Sequence, residues 1–280
     1  MSTVVVTGSA SGIGAACAAR LANEGHLIIG VDLRDAEVIT DLSTAEGRRS
    51  AIDAVGSASG GSIAGLVTCA GLAGMPNRPG SLLTAVNYFG TVELLHGLRP
   101  LLGGGAAVAI SSNSTTVQPG VPMDVVEACL SGDVERAAAA ADATPGGSIA
   151  TYPATKMAVA QWVRRHAPRK TWIGSGIRLN AVAPGLITTP MTDELRSDPL
   201  IGQALDLFPV PMGRPGRPEE VAAVISFLLG PEASLLAGSI VFADGGSDAK
   251  IRADDWPAPW VVDDPAVAWF GDREDPDDKV

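Results

Sequence analysis

Short runs of β-branched residues alternate along this chain with longer, alanine-rich segments of helical length. This alternation is typical of repeated βαβ units, which build a parallel sheet with helices on both faces. We therefore predict one doubly wound α/β domain over residues 1–253, with a seven-stranded parallel sheet. The strands located are Thr3–Thr7, His26–Val31, Leu66–Thr68, Ala106–Ile110, Ile177–Val182 and Ser239–Phe242. The helices located are Gly12–Asn23, Glu46–Val55, Ser81–Leu101, Tyr152–Arg165 and Glu219–Leu229.

Two segments do not fit this alternation of strands and helices. Residues 115–150 are too long for a simple connection, and we predict a helical insertion in which Asp124 caps Val125–Leu130 and Asp133 caps Val134–Ala141. Residues 186–218 mix large apolar side chains with prolines and are too apolar for a solvated loop. We predict that they form a lid over part of the domain.

The charge of the chain is concentrated at its C-terminal end. The net charge is −11 over 280 residues, and residues 254–280 hold nine acids against two bases, which is −7 of that total. No basic patch is available for a nucleic acid or an anionic membrane surface, so we predict neither as a partner. A hydrophobic content of 46% excludes disorder for the bulk of the chain.

Cysteines, histidines and the N-terminal segment indicate the compartment. Cys17, Cys69 and Cys129 are an odd number in apolar segments, as expected of buried thiols in a reducing environment. We find neither a signal peptide nor a stretch of membrane-spanning length, and we predict a cytoplasmic protein. The three histidines are isolated from other metal-ligating residues, so we predict no metal site.

A glycine-rich run, Thr7–Gly14, follows the first predicted strand and opens the first helix. Glycines at 8, 12 and 14 allow a sharp turn and a close approach to a pyrophosphate, whose charge the helix N-terminus favours. This pattern predicts a Rossmann dinucleotide site, although an ordinary strand–turn–helix also favours glycine.

Asp32 lies at the end of the second predicted strand, eighteen residues past Gly14. A carboxylate at this place accepts hydrogen bonds from the ribose hydroxyls of adenosine and repels a 2′-phosphate. We therefore predict NAD rather than NADP, with Arg34 as the one nearby base. The alternative is that Asp32 is merely a solvated charge at a strand end.

Tyr152 and Lys156 are four residues apart on one predicted helix, so they share a face. A phenol is a poor base at neutral pH, but a neighbouring ammonium favours the phenolate and lowers the pKa of the tyrosine. The pair therefore predicts a general acid/base acting on an alcohol or carbonyl oxygen.

Two polar residues complete the candidate site. Ser112 follows the strand Ala106–Ile110 at the sheet edge where ligands bind, with Ser111 as the competitor for its role and a turn serine as the alternative. Asn87 is unfavourable inside an apolar helix, which indicates either a hydrogen-bonded purpose or a purely structural amide.

Over residues 3–247 the chain resembles the short-chain dehydrogenases/reductases. The motifs that carry the resemblance are Thr7–Gly14, Cys69-Ala70-Gly71, Val86–Gly90, Ser112, Tyr152–Lys156 and Pro184–Thr189. Cys69 departs from the asparagine usual in the family, and the forty residues between Ser112 and Tyr152 are more than in most members. The long insertion looks like that of the bacterial 3α-hydroxysteroid dehydrogenase/carbonyl reductase subgroup, and coniferyl-alcohol dehydrogenases look similar.

The resemblance implies a set of site residues. Those implied to be catalytic are Asn87, Ser112, Tyr152 and Lys156. Those implied to bind the cofactor are Gly8, Ser11, Gly12, Ile13, Gly14, Asp32, Leu33, Asp41, Leu42, Cys69, Ala70, Gly71, Tyr152, Lys156, Pro184, Gly185, Ile187 and Thr189. Asp41 and Leu42 would lie at the adenine, and Ile187 and Thr189 at the nicotinamide carboxamide.

The implied activity is an NAD(H)-dependent alcohol dehydrogenase/carbonyl reductase with a hydrophobic secondary alcohol or ketone as substrate, such as a hydroxysteroid. Tyr152 would exchange the proton with the substrate oxygen that Ser112 holds. Lys156 would lower the pKa of Tyr152 and bind the nicotinamide ribose, and Asn87 would support a path from Lys156 to solvent. The alternatives are an enzyme of the same fold for aryl alcohols or 3-oxoacyl thioesters, and a non-catalytic NAD-sensing protein.

The insertion has two possible roles. Its Val121, Met123 and Val125 would form a second wall of the substrate pocket, or the insertion would pack at a subunit contact. It precedes the Tyr152–Arg165 helix, through which many family tetramers associate, so among homodimer and homotetramer we favour the dimer.

The segment 254–280 is an acidic extension beyond the matched region. It carries Trp256, Trp260, Trp269 and Phe270 among several prolines, which is unusual for a disordered tail. We predict that these rings dock on the domain or a neighbouring subunit and that Asp272–Val280 is solvated.

Overall fold

Seven parallel strands form one sheet, in the order β3-β2-β1-β4-β5-β6-β7, in the computed structural model, which describes residues 2–262. The strands are β1 (Thr3–Thr7), β2 (Leu27–Asp32), β3 (Val38–Ile39), β4 (Gly65–Thr68), β5 (Ala106–Ile110), β6 (Arg178–Pro184) and β7 (Ile240–Ala243). The predicted fold class, a single doubly wound α/β domain, is confirmed. The strand order reverses between β1 and β4, and ligands bind at this kind of switch point.

Helices cover both faces of the sheet. They are α1 (Gly12–Asn23), α2 (Ala45–Ala58), α3 (Gly80–Leu83), α4 (Gly90–Leu98), α5 (Ser114–Val117), α6 (Met123–Leu130), α7 (Val134–Ala143), α8 (Gly147–His166), α9 (Pro190–Arg196), α10 (Pro199–Leu207), α11 (Pro218–Leu229) and α12 (Ser247–Arg252). Alternate residues of β1 enter two separate cores: Val5 packs with α2, α4 and α8, and Val4 and Val6 pack with α1 and α11. This alternation follows from the two-residue period of a strand.

The seventh strand, β3, is the one that the sequence does not locate, because Val38–Ile39 is only two residues long. The other strands agree with prediction to within one or two residues at each end. None of the described helices is both long and apolar enough to cross a membrane.

The predicted helix Ser81–Leu101 is not continuous. The chain forms α3, then a π-helical turn over Thr84–Phe89, then α4, and ends in a 3₁₀ turn at Arg99–Leu101. A π-helical turn inserts one residue into the helical repeat and is frequent at functional sites. Asn87 lies in this turn and is fully buried.

The predicted helix at Tyr152 begins earlier than expected. α8 starts at Gly147 after Gly146, whose φ of +88° is a left-handed conformation that favours glycine. The Asp133 side chain caps α7 as predicted, by accepting a hydrogen bond from Arg136 N. Asp124 does not cap α6, because that helix begins at Met123 and Asp124 lies in its first turn.

The extension is described only as far as residue 262. A 3₁₀ turn at Ala253–Asp255 follows α12, and Trp256 and Trp260 are 66% and 59% exposed. Neither ring is therefore buried on its own domain, and docking on a neighbouring subunit stays a prediction. Trp269, Phe270 and the segment Asp272–Val280 lie outside the described residues.

Candidate active site

A cavity of about 500 Å³ opens at the carboxyl edge of the sheet, above β1, β2, β4, β5 and β6. All of the predicted cofactor-binding residues line it, and so do Ser112, Tyr152 and Lys156. Asp32 ends β2 and Ser112 follows β5, three strand spacings away, so the two lie about 14 Å apart along the edge. The site is therefore elongated, with the residues arranged in strand order.

Gly8, Gly12 and Gly14 form a tight turn at what we call the glycine end of the cavity, together with Asp32. Gly8 and Gly12 have φ values of +67° and +54°. A Cβ on Gly14 would lie 2.0 Å from the carbonyl oxygen of Gly8, so no larger residue fits without a shift of the backbone. The first turn of α1 holds no acidic residue, and its N–H groups are available to an anion at the cavity.

Asp32 is fixed in place by the backbone. Its two carboxylate oxygens accept hydrogen bonds from Ala10 N at 3.0 Å and Leu33 N at 2.7 Å. These bonds hold the carboxylate beside the glycine turn and leave lone pairs for a ligand hydroxyl. Arg34 is a highly exposed side chain whose Nε lies 4.0 Å from the Asp35 carboxylate.

The segment Cys69–Gly71 lies between the glycine turn and the reactive groups. Thr7 anchors it, since its Oγ1 accepts from Ala70 N at 3.0 Å and its carbonyl accepts from Cys69 N at 3.2 Å. Gly71 has no side chain and leaves open space in the cavity, where a Cβ would lie 3.2 Å from Asn87 Oδ1 and 3.4 Å from Lys156 Nζ. Burial raises the pKa of the Cys69 thiol well above its usual range, so the thiol stays neutral.

Tyr152 and Ser112 both line the cavity, and hydrogen bonding from Ser112 acts to lower the pKa of Tyr152. Ser112 Oγ also accepts from Ser114 N at 3.1 Å, which fixes its rotamer. Ser111, the competitor, instead donates its hydroxyl to the carbonyl of Lys156 at 2.9 Å and so ties β5 to α8. The structure therefore brings Ser112, and not Ser111, to the phenol.

Lys156 is buried and donates from Nζ to the carbonyl of Ile110 at 3.0 Å. Its ammonium lies 6.0 Å from the centre of the Tyr152 ring. Loss of water lowers the pKa of Lys156 to about 8. In the protein alone, desolvation raises the pKa of Tyr152, and hydrogen bonding from Ser112 opposes that rise. The effect expected of Lys156 together with a positively charged nicotinamide stays a prediction.

Asn87 does not line the cavity but lies directly behind it. Its Oδ1 accepts from Leu72 N at 2.7 Å, and its Nδ2 donates to Leu72 O at 3.0 Å and to Thr155 Oγ1 at 3.3 Å. The amide thus clamps the chain after β4 to α8, between Tyr152 and Lys156. This is a hydrogen-bonded purpose for an otherwise unfavourable helical asparagine.

Apolar residues that the sequence does not single out form the other end of the cavity, which we call the apolar end. They are Leu72, Leu82, Val86 and Pro190, together with Met191 from the predicted lid. Only their positions in the fold could have identified them as cavity residues, because they follow β4 or lie on α3, on the π-helical turn after it and on α9. Arg78, in the connection after β4, bridges to Glu194 on α9 at 2.8 Å across this end.

The lid and the insertion only partly meet expectation. Within residues 186–218, only the part up to Thr192 lines the cavity, while Leu200 and Leu207 on α10 are 79% and 76% exposed. The residues predicted as a second wall, Val121, Met123 and Val125, do not line this cavity. Val125 is instead buried in the core against α8.

Comparison with known proteins identifies the family. The chain is 41% identical to the 3α-hydroxysteroid dehydrogenase/carbonyl reductase of Comamonas testosteroni, over 90% of this chain and 98% of that protein. It belongs to the short-chain dehydrogenase/reductase family. A family model described as enoyl-(acyl carrier protein) reductase also matches residues 134–248 of this short-chain dehydrogenase/reductase. The chain is thus an oxidoreductase related to the hydroxysteroid dehydrogenase/carbonyl reductases, and the predicted resemblance is confirmed.

Two further relatives of this short-chain dehydrogenase/reductase are informative. The 3α-hydroxysteroid dehydrogenase of Pseudomonas sp. B-0831, solved in complex with NADH, superposes with a TM-score of 0.86 at 44% identity, covering 90% of this chain and 99% of that one. The cis-4-hydroxycyclohexanecarboxylate dehydrogenase of Sinomonas cyclohexanicum is 34% identical, over 88% of this chain and 96% of that protein.

Proposed function

We propose that this enzyme transfers a hydride between NAD(H) and a hydrophobic secondary alcohol or ketone, with a hydroxysteroid or a related cyclic alcohol as the substrate class. The observation that carries the proposal is that Tyr152 and Ser112 line one cavity with Lys156 and an anchored Asp32. A proton-transfer group, an oxygen-binding hydroxyl and a dinucleotide site are what such a reaction requires.

The residues present fit a nicotinamide dinucleotide. The glycine turn is tight enough that a Cβ on Gly14 would clash with the backbone, and the N-terminus of α1 faces the same cavity. Gly71 has no side chain, which leaves open space beside Lys156. Gly12 and Gly14 would hold the pyrophosphate, and Ile187 and Thr189 the carboxamide. When bound, the dinucleotide supplies the acceptor or donor of the hydride.

NAD is favoured over NADP by the glycine end. The Asp32 carboxylate is held at the cavity by two backbone N–H groups. A 2′-phosphate at this carboxylate would meet like charge, whereas a 2′-hydroxyl would donate to it. The NADH bound to the related Pseudomonas enzyme supports the same choice.

The apolar end indicates the class of substrate. Leu72, Leu82, Val86 and Met191 offer hydrocarbon surface next to Tyr152, with few groups to bind a polyol. Two relatives that match over nearly their whole length act, by name, on a steroid alcohol and a cyclohexane alcohol, both cyclic secondary alcohols. An aryl or another alcohol of similar size is the alternative.

Each reactive group has one task in the proposed reaction. Tyr152 takes the proton from the alcohol oxygen in oxidation and returns it in reduction, and Ser112 holds that oxygen by a hydrogen bond. Because desolvation raises the pKa of Tyr152, positive charge at the site is needed to stabilise the phenolate, and Lys156 provides it while protonated. Asn87 fixes Leu72 and Thr155 around this pair.

A panel of cofactors and substrates tests the proposal. Rates would be followed by the absorbance of reduced nicotinamide, with NAD or NADP and with 3α-hydroxysteroids, substituted cyclohexanols and benzylic alcohols. We expect the highest kcat/KM with NAD and a cyclic secondary alcohol. Binding of NAD without turnover of any alcohol or ketone would instead favour the NAD-sensing alternative.

Oligomeric state and compartment belong to the same proposal. All three cysteines are free thiols, as a cytoplasmic enzyme requires. The insertion packs α6 and α7 against α8 and so covers part of the surface of that helix. A homodimer is therefore favoured over a homotetramer, and light scattering at micromolar concentration distinguishes the two masses.

A further inference from the structure

The connection between β3 and α2 contributes four consecutive residues, 40–43, to the wall of the cavity at the glycine end. We call it the adenine loop, since the proposed function places the adenine there. It contains no regular secondary structure. Thr40 N donates to Asp32 O at 2.9 Å and Thr40 Oγ1 donates to Gly47 O at 3.0 Å, whereas the bonds that the following residues make are local: Asp41 Oδ1 accepts from Ser43 N, and Asp41 O accepts from Thr44 N. Local bonds of this kind shape a turn but do not fix it relative to the sheet.

Arg48, on α2, lies behind this loop and outside the cavity. Its side chain is 3% exposed, and Nη1 donates to the carbonyls of Leu42 and Ser43, each at 3.2 Å. Nε donates to Glu93 on α4 at 2.7 Å. One guanidinium therefore joins the adenine loop to two helices.

A buried arginine is costly, and the cost has to be offset by its partners. The Glu93 carboxylate neutralises the charge, and the two carbonyls satisfy N–H groups that would otherwise be buried without acceptors. A planar guanidinium can bond three groups in fixed directions, which a lysine ammonium on a flexible stem cannot reproduce. This rigidity acts on the two loop residues whose carbonyls it holds, and both residues line the cavity.

We propose that Arg48 is a positioning residue for the adenosine half of the dinucleotide, acting through the backbone of Leu42 and Ser43. This inference rests on the proposed cofactor but concerns a residue that touches neither cofactor nor substrate. Because Ser112 and the other reactive groups lie about three strand spacings from Asp32 at the glycine end, Arg48 affects the affinity for the cofactor and not the rate of the chemical step.

The test compares Arg48→Lys with Arg178→Lys. Arg178, at the start of β6, also holds carbonyls of a neighbouring segment, those of Leu228, Leu229 and Gly230, but at the opposite edge of the sheet. AMP, which carries the adenosine half alone, would be titrated into each protein by calorimetry, and KM for NAD and kcat would be measured in parallel. Thermal melting would report the loss of stability in both variants.

We expect Arg48→Lys to weaken AMP binding about tenfold and to raise KM for NAD similarly, with kcat within about twofold. Arg178→Lys should lower the melting temperature and leave AMP binding within about twofold. If Arg48→Lys fails to fold, Glu93→Gln, which keeps the shape of the side chain and removes its charge, should weaken AMP binding about threefold.

Three results would overturn the inference. The first is that Arg48→Lys binds AMP as tightly as the parent does. Where Glu93→Gln has to replace that variant, the same result in Glu93→Gln counts. Arg48→Lys and Arg178→Lys could weaken AMP equally, which would indicate general loosening. Failure of the parent itself to bind AMP would overturn the proposed cofactor, and this inference with it, whereas the first two results leave the proposed function intact.

Discussion

The glycine end of the cavity is shaped by backbone turns and anchored strand-end groups, whereas the apolar end is formed by side chains on connecting segments. Gly14 fits because a Cβ there would strike Gly8, and Asp32 is held by two backbone N–H groups. Leu72 and Met191 owe their positions to loops and to the helix α9, and α10 leaves Leu207 exposed. The difference teaches that cofactor recognition is fixed by the fold, while substrate recognition depends on segments that can vary around it.

Tyr152 lies where the two ends meet, and its removal should have the largest effect. Tyr152→Phe keeps the ring and removes the hydroxyl that exchanges the proton, so we expect kcat to fall about 1000-fold. Cofactor affinity, measured by titration of NADH fluorescence, should stay within about twofold, because the glycine end is untouched. Substantial turnover by this variant would show that the proton passes elsewhere.

Asp32 tests the glycine end by itself. Asp32→Asn keeps the shape of the side chain and loses the charge and one acceptor, so the ratio of kcat/KM for NAD to that for NADP should fall about 100-fold. Arg34→Ala is the control, because Arg34 is highly exposed beside Asp32 in sequence, and it should leave the ratio within about threefold. A ratio that moves in the control and not in Asp32→Asn would assign the selection to Arg34.

Lys156 links the two ends and gives a dependence of stability on pH. Its pKa is about 8 in the folded protein against 10.5 when unfolded, so between these values the unfolded chain binds more protons and stability rises with pH. Between pH 7.5 and 10 the parent should gain roughly 2 kcal/mol of unfolding free energy relative to Lys156→Met. Urea unfolding of both proteins without cofactor measures this difference, and a constant difference would contradict the lowered pKa.

The lid should give the smallest effect, confined to the apolar end. α10 belongs to the predicted lid but does not line the cavity, so Leu207→Ser tests whether a substrate draws it over the apolar end. If it does, KM for a hydrophobic alcohol should rise about threefold to fivefold, with KM for NAD unchanged. Leu235→Ser, at a 94% exposed leucine after α11, is the control and should change neither constant. Equal KM values in Leu207→Ser and the parent would exclude α10 from substrate binding.

The same contrast explains what the sequence predicts. Gly8, Gly12, Gly14 and Asp32 can be placed from sequence because local backbone geometry dictates both residue type and spacing. The pairing of Tyr152 with Ser112 follows from helix periodicity and the strand-end rule. All of the predicted cofactor residues line one cavity, which their order on parallel strands already implies.

Other features depend on packing that no local pattern carries. The π-helical turn at Asn87 interrupts a stretch whose apolar residues predict one continuous helix, and the strand Val38–Ile39 is too short to give a period. The sequence predicts that Val125 lies against an apolar surface, but it does not tell whether that surface is α8 or a substrate. Hydrophobicity alone does not identify the neighbour, which the structure shows to be α8. The pKa of Tyr152 likewise depends on the water around it, which spacing does not report.

The central claim is that this protein moves a hydride between a secondary alcohol and NAD. A cyclic secondary alcohol deuterated at its carbinol carbon would be incubated with the enzyme and NAD, and the reduced nicotinamide analysed by mass spectrometry. The account predicts that the reduced cofactor carries the deuterium in the parent and that Tyr152→Phe forms almost none. Tight binding of NAD with no deuterated cofactor from any cyclic, aryl or steroid alcohol would contradict it.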